Sequence, residues 1–159
     1  MDSSLIPVMS ALGGVALAQG VAMLQSWIDR QNKREILLRT KYEELGEHFL
    51  ASIALPAQLL KCATHEETIA TTQQTDSNKA HLLALVYFPE LRIATGQYIE
   101  AYSALCSTAI ALYNPDDKRI LGFQVPSKPA YVVARNAYLA ARNRLQDDIE
   151  KHASAYAKS

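Results

Sequence analysis

LIPVMSALGGVALAQGVAMLQSWI, residues 5–28, runs 24 positions without a charged side chain and is followed at once by Asp29-Arg30-Gln31-Asn32-Lys33-Arg34. As a helix at about 1.5 Å per residue it is about 36 Å long, enough to cross a hydrocarbon core of about 30 Å with some tilt. A core helix of this length is ordinarily polar along one side, and a helix lying in the membrane interface carries Lys or Arg. This run carries charge on no face. It reads as one transmembrane helix, with Trp27 at headgroup level, Pro7 tolerated near the first turn, and Gln19 and Gln25 as polar interruptions.

The flanks give the span a direction. Between Arg30 and Lys41 stand Arg30, Lys33, Arg34, Arg39 and Lys41 against Glu35 alone, whereas Met1-Asp2-Ser3-Ser4 holds no Lys or Arg. Basic residues beside a span stay on the cytoplasmic side, so the expected topology is N-terminus out and C-terminal part cytoplasmic. A cleaved secretory signal calls for a basic leading region and a shorter apolar stretch, and the sequence has neither. Trp27, Arg30, Lys33 and Arg34 are the expected headgroup contacts, at about 1 kcal/mol per basic residue near an anionic surface. Ser10, Gly14 and Ala18, with Gln25 at a similar angle, form a small-residue side suited to helix association.

The whole chain has 159 residues, 49% of them apolar, and no net charge. Setting aside residues 1–28 leaves 29–159 for a single helical domain and not two. The absence of an extended basic face argues against nucleic acid as a partner. Cys62 and Cys106 lack the density of a disulfide-stapled secreted domain and read as reduced, buried thiols.

From Arg30 onward the apolar positions fall at helical spacing. Leu38, Tyr42, Leu45, Phe49 and Ile53 make one stripe, and no break separates it from the span, so one helix is predicted to continue to about Ala54, before Pro56. Residues 64–78, rich in Thr, Gln, Asp and Ser, read as a connection. A second helix is predicted over 78–113, with Pro89 kinking or dividing it and Leu91, Ala94, Tyr98, Leu105 and Ala109 among its inward positions. Asn114-Pro115-Asp116-Asp117 signals a turn, and Ile120, Leu121, Phe123 and Val125 in the following connection are expected to pack on the bundle. The last helix is predicted over 129–157 with Tyr131, Tyr138, Leu145 and Ile149 inward. The expected architecture is all-α: an N-terminal transmembrane helix continuing into an antiparallel three- to four-helix bundle.

The order of an uncharged N-terminal span, a basic helix containing Lys41-Tyr42-Glu43-Glu44-Leu45 and a central Tyr87-Phe88-Pro89-Glu90-Leu91 resembles uncharacterised small single-pass membrane proteins of bacteria. The resemblance covers about residues 5–100. It implies a helical protein of the bacterial inner membrane and brings no activity or functional residues with it.

Candidate chemistry is sparse. Cys62, His65, Glu66 and Glu67 lie close in sequence, but a structural zinc site needs four convergent ligands, usually in spaced pairs. A di-metal bundle site needs Glu-x-x-His pairs, and none of His48, His65, His81 and His152 follows a Glu by three. Glu44 with His48 and Asp148 with His152 read as surface pairs one turn apart. The glycines do not form a phosphate loop. The many tyrosines read as core filling, and Pro89 as a kink or hinge. No catalytic residue, cofactor or metal is expected.

The leading expectation is a non-enzymatic, single-pass inner-membrane protein. Its cytoplasmic bundle mediates protein contacts or homo-oligomeric assembly, with membrane lipid and a cytoplasmic protein as partners. The alternative is a membrane-disrupting or channel-forming effector of the phage-defence or lysis type. A ligand- or metal-binding bundle enzyme ranks third.

Overall fold

The computed structural model describes residues 5–62, 64–73, 75–112 and 128–156, with side chains from Gln19 onward. Its helices are α1 (Leu5–Ile53), α2 (Leu55–Leu59), α3 (His65–Thr72), α4 (Asp76–Tyr87), α5 (Arg92–Leu112) and α6 (Pro129–Tyr156), with a 3-10 turn at Pro89–Leu91 between α4 and α5. No strand occurs among the described residues. The chain divides into two compact units, Met1–Leu38 and Arg39–Ser159.

In the first unit the helix is exposed along its described length except at the half-buried Ser26 and Leu38, and Val21, Met23, Leu24, Trp27 and Ile28 are all exposed. Among the described residues no helix is long and apolar enough to cross a membrane. The side chains of residues 5–18, more than half of the uncharged run, lie outside the described residues. The transmembrane helix expected over 5–28 therefore rests on the sequence run and not on the described part of α1.

The second unit is a four-helix bundle made from the C-terminal part of α1 with α4, α5 and α6. Its register can be read from side-chain partners. Tyr42 meets Phe88, and Phe49 meets Tyr98, so α1 and α5 run in the same direction. Glu90 pairs with Tyr156, Gln97 with Arg144 and Tyr98 with Tyr138, so α6 runs antiparallel to α5. His81 bonded to Thr95 likewise sets α4 antiparallel to α5. The core holds Phe49, Leu55, Tyr98, Leu105, Tyr138 and Leu145, all buried. All but Leu55 are inward positions that the helical spacing predicts.

The unbroken helix to Ile53 agrees with the predicted end near Ala54, and Pro56 explains the stop because its ring removes an N–H and clashes with the preceding turn. Pro89 divides the next predicted helix. Phe88 takes φ −132° and ψ 73°, since a residue before proline is driven out of the α region, and Phe88 N–H closes α4 on the Ala84 carbonyl at 3.0 Å. Phe88 and Leu91 on either side of the joint are fully buried, while Pro89 itself is exposed.

Residues 64–78 were expected as a connection, and here the structure differs. Thr64 Oγ1 accepts the Glu67 N–H at 3.1 Å, and Glu66 and Glu67 occupy the first turn of α3, where their charge favours the helix N-terminus. Thr68 is fully buried with its hydroxyl donated to the Thr64 carbonyl at 3.0 Å. Capping and this one buried position outweigh the low helix propensity of Thr. The expected packing of Ile120, Leu121, Phe123 and Val125 lies outside the described residues.

Candidate functional site

On the first unit, the position-by-position exposure of bulky apolar side chains is the unusual feature. Trp27 is 56% exposed and Met23 73%. Arg30 reaches back to Ser26 Oγ at 3.1 Å, and Arg30, Lys33 and Arg34 have no ion-pair partner among the described residues. Arg39 and Lys41, counted with them in the sequence, are instead paired to Glu43 at 3.1 Å and Glu44 at 2.7 Å in the second unit. The basic collar thus contracts to Arg30, Lys33 and Arg34. Of the expected association face, Gln25 is exposed, whereas Ser10, Gly14 and Ala18 lie outside the described side chains.

The bundle contains a chain of hydroxyl groups. Ser52 Oγ donates to the Phe49 carbonyl at 2.6 Å, which uses its only proton, so the 2.7 Å contact with Tyr98 has Tyr98 as donor. Tyr138 Oη lies 3.4 Å from Tyr98 Oη and completes the series. Burial raises the pKa of both phenols, leaving them neutral near pH 7.

Beside this chain lies a groove of about 410 Å³, within the range of small-molecule sites. Ile53, Pro56, Ala57 and Leu60 form one wall, with Leu139 of α6 opposite. Its polar groups all come from one face of α6: Tyr131, Arg135, Tyr138 and Arg142. Tyr131 is 1% exposed and its hydroxyl has no hydrogen-bond partner among the described residues; burial pushes its pKa up against the opposing charge of Arg135. Arg142 is bonded through Nε and Nη2 to Asn143 Oδ1 at 3.1 and 2.8 Å. Among the described residues Arg135 has no ion-pair partner and no carboxylate lines the groove.

A second surface feature is the outer side of α4. Leu82, Leu85 and Val86, spaced as one helix face, are exposed at 61%, 46% and 62%, while Ala80 and Ala84 face the core. Ile93 in the first turn of α5 is exposed too. The signal for this was available in Leu82-Leu83-Ala84-Leu85-Val86, because five successive apolar residues on a helix cannot all point one way.

At the Pro89 joint, Tyr42, Phe88 and Tyr156 form an aromatic cluster with ring centroids 4.9 to 5.1 Å apart. Tyr156 donates to Glu90 Oε1 at 2.6 Å, and Tyr42 donates to the Ile149 carbonyl. Cys62 packs with its Sγ 3.4 Å from Thr71 Oγ1, and among the described residues no three His, Cys, Asp or Glu side chains converge as a metal site. Glu44 is engaged by Lys41, and His48 instead meets Asp76 at 3.0 Å across the bundle, which corrects the expected Glu44–His48 pair.

No protein-family model, curated protein or solved structure matches the chain.

Proposed function

We propose that the chain is a non-enzymatic, membrane-anchored assembly protein. Residues 5–28 span the bacterial inner membrane with the N-terminus out, and the cytoplasmic bundle makes protein contacts, foremost with further copies of itself. The observation that carries the reading is the end of the uncharged run. There Val21, Met23, Leu24, Trp27 and Ile28 offer one broad, exposed apolar side of the helix, directly before Arg30, Lys33 and Arg34, which have no ion-pair partner among the described residues. In water such a surface is costly, at roughly 25 cal/mol per Å² of apolar area left exposed; in lipid it is not. Trp27 and the collar then lie at the headgroup level.

For the bundle, the support is the aliphatic face of α4. An exposed stripe of Leu82, Leu85 and Val86 suits a helix-to-helix contact between like surfaces, and Ser10, Gly14, Ala18 and Gln25 offer a second such contact within the membrane. The test is the mass of the purified chain in mild detergent. A dimer or larger species that becomes a monomer with Leu82→Lys and Leu85→Lys supports the reading; a wild-type monomer sinks it.

The exposed amides of Gln19 and Gln25 favour one variant of this function, in which the assembled helices enclose a polar path and act as an effector on the membrane. Loss of membrane potential on expression, restored by Gln19→Leu with Gln25→Leu, supports that variant. An unchanged potential removes it.

A further inference from the structure

We propose that α4 is a releasable strap of the bundle, swinging out as a unit about the joint at 88–91 while α5 and α6 stay packed. This goes beyond anchoring and assembly and depends on neither, because every group involved belongs to the bundle.

The way α4 is seated carries the proposal. Of its 12 residues only Ser77, Ala80 and Ala84 are buried, whereas α5 buries Tyr98, Tyr102 and Leu105 and α6 buries Tyr131, Tyr138 and Leu145. Leu82, Leu85 and Val86, the large aliphatic side chains that would hold a helix in a core, are exposed, and Leu83 and Tyr87 are only half-buried. Apolar stabilisation grows with the area removed from water. An inward face of two methyl groups and one hydroxymethyl therefore holds α4 far less firmly than the rings and leucines hold α5 and α6.

Two imidazoles complete the seat. His48 Nδ1 on α1 donates to Asp76 Oδ1 in the first turn of α4, and His81 Nδ1 on α4 donates to Thr95 Oγ1 of α5, each at 3.0 Å. The direction of the second bond follows from Thr95, whose single proton goes to the Leu91 carbonyl at 2.9 Å. His48, Asp76 and His81 are half-buried, so water can replace both bonds as α4 lifts.

The backbone supplies the pivot. The α-helical ladder stops where the Phe88 N–H bonds to the Ala84 carbonyl, and Phe88 takes φ −132° and ψ 73° before the 3-10 turn. Phe88 and Leu91 are both fully buried, which pins the joint to the core while α4 turns about it. Release opens the cleft of about 230 Å³ that Ser77 and Asn78 line together with Tyr102, Ser103 and Cys106 of α5.

The test is hydrogen–deuterium exchange of the full chain in mild detergent, resolved by mass spectrometry to the peptides of α4, α5 and α6. The Leu82→Lys, Leu85→Lys chain is measured beside wild type, because a second copy cannot cover its α4 and the result is then independent of assembly. In that variant the α4 amides are expected to exchange together, about tenfold or more faster than those of α5 and α6. Adding His48→Ala should speed α4 several-fold further and leave α5 and α6 unchanged, with circular dichroism verifying that the bundle is folded. Exchange of α4 in step with α5, or an equal acceleration of all three helices by His48→Ala, overturns the proposal. Assembly is decided separately, by the mass of the wild-type chain.

Discussion

Tyr98 donates its hydroxyl proton to Ser52 Oγ at 2.7 Å, tying α5 to the last turn of α1 inside the core. Both residues are almost completely buried, so neither oxygen can turn to water when the other is removed. Tyr98→Phe is expected to lower the unfolding free energy by about 1–2 kcal/mol, in the range for an orphaned buried hydrogen-bonding group. Tyr138→Phe removes only a 3.4 Å contact and is expected to cost less. Urea denaturation of the full chain followed by circular dichroism at 222 nm measures both, and a Tyr138→Phe loss exceeding that of Tyr98→Phe contradicts the assigned direction of the hydroxyl chain.

The bundle is expected to be unaffected at neutral and mildly basic pH and to lose stability at alkaline pH. Burial pushes Tyr42 and Tyr156 up to about 12 and Cys106 up to about 11, and raises Tyr98, Tyr102, Tyr131 and Tyr138 as well. Each group holds its proton more tightly folded than unfolded. Its stabilising contribution is whole below the unfolded pKa, near 9 for the thiol and 10 for the phenols, and is lost as pH rises through the folded value. The melting temperature should be level from pH 8 to 9 and fall steadily above pH 10. A melting temperature that rises between pH 10 and 12 reverses the sign and refutes the linkage.

The Pro89 joint is expected to be held by its flanks. Phe88 is fully buried against Tyr42 and Tyr156, so Phe88→Ala should cost about 3–5 kcal/mol, the range for deleting a buried aromatic ring. Pro89 is exposed, and Pro89→Ala should change stability by less than about 1 kcal/mol. Thermal denaturation of the two variants distinguishes them. A larger loss at Pro89 means that the proline itself, and not the aromatic cluster, fixes the joint.

Much of this fold was legible in the residues because spacing alone dictates which side chains of a helix can share a core. Tyr42, Leu45 and Phe49, then Tyr98, Leu105 and Ala109, and then Tyr131, Tyr138 and Leu145 all fall inside as their spacing requires. Pro56 and Pro89 mark real helix ends for steric reasons visible in any sequence. Helix α3 was hidden because its stability comes from the Thr64 cap and one buried Thr, contributions that composition does not register. The groove was hidden for a different reason. Arg135 and Arg142 read as surface charge on α6, and only packing of α6 against Ile53 and Pro56 places them beside an aliphatic wall with the buried Tyr131 hydroxyl. The His48–Asp76 pair likewise joins residues 28 apart, beyond the reach of a one-turn rule.

The central claim is that residues 5–28 hold the chain in a membrane, and alkaline carbonate extraction of bacterial membranes containing the full chain tests it most directly. The wild-type chain is expected to stay in the membrane pellet. Val15→Arg with Leu17→Arg, at about 2.5–3.5 kcal/mol per arginine near the centre of a span, should release it. Recovery of the wild-type chain in the carbonate supernatant, or equal retention of the double variant in the pellet, contradicts the account.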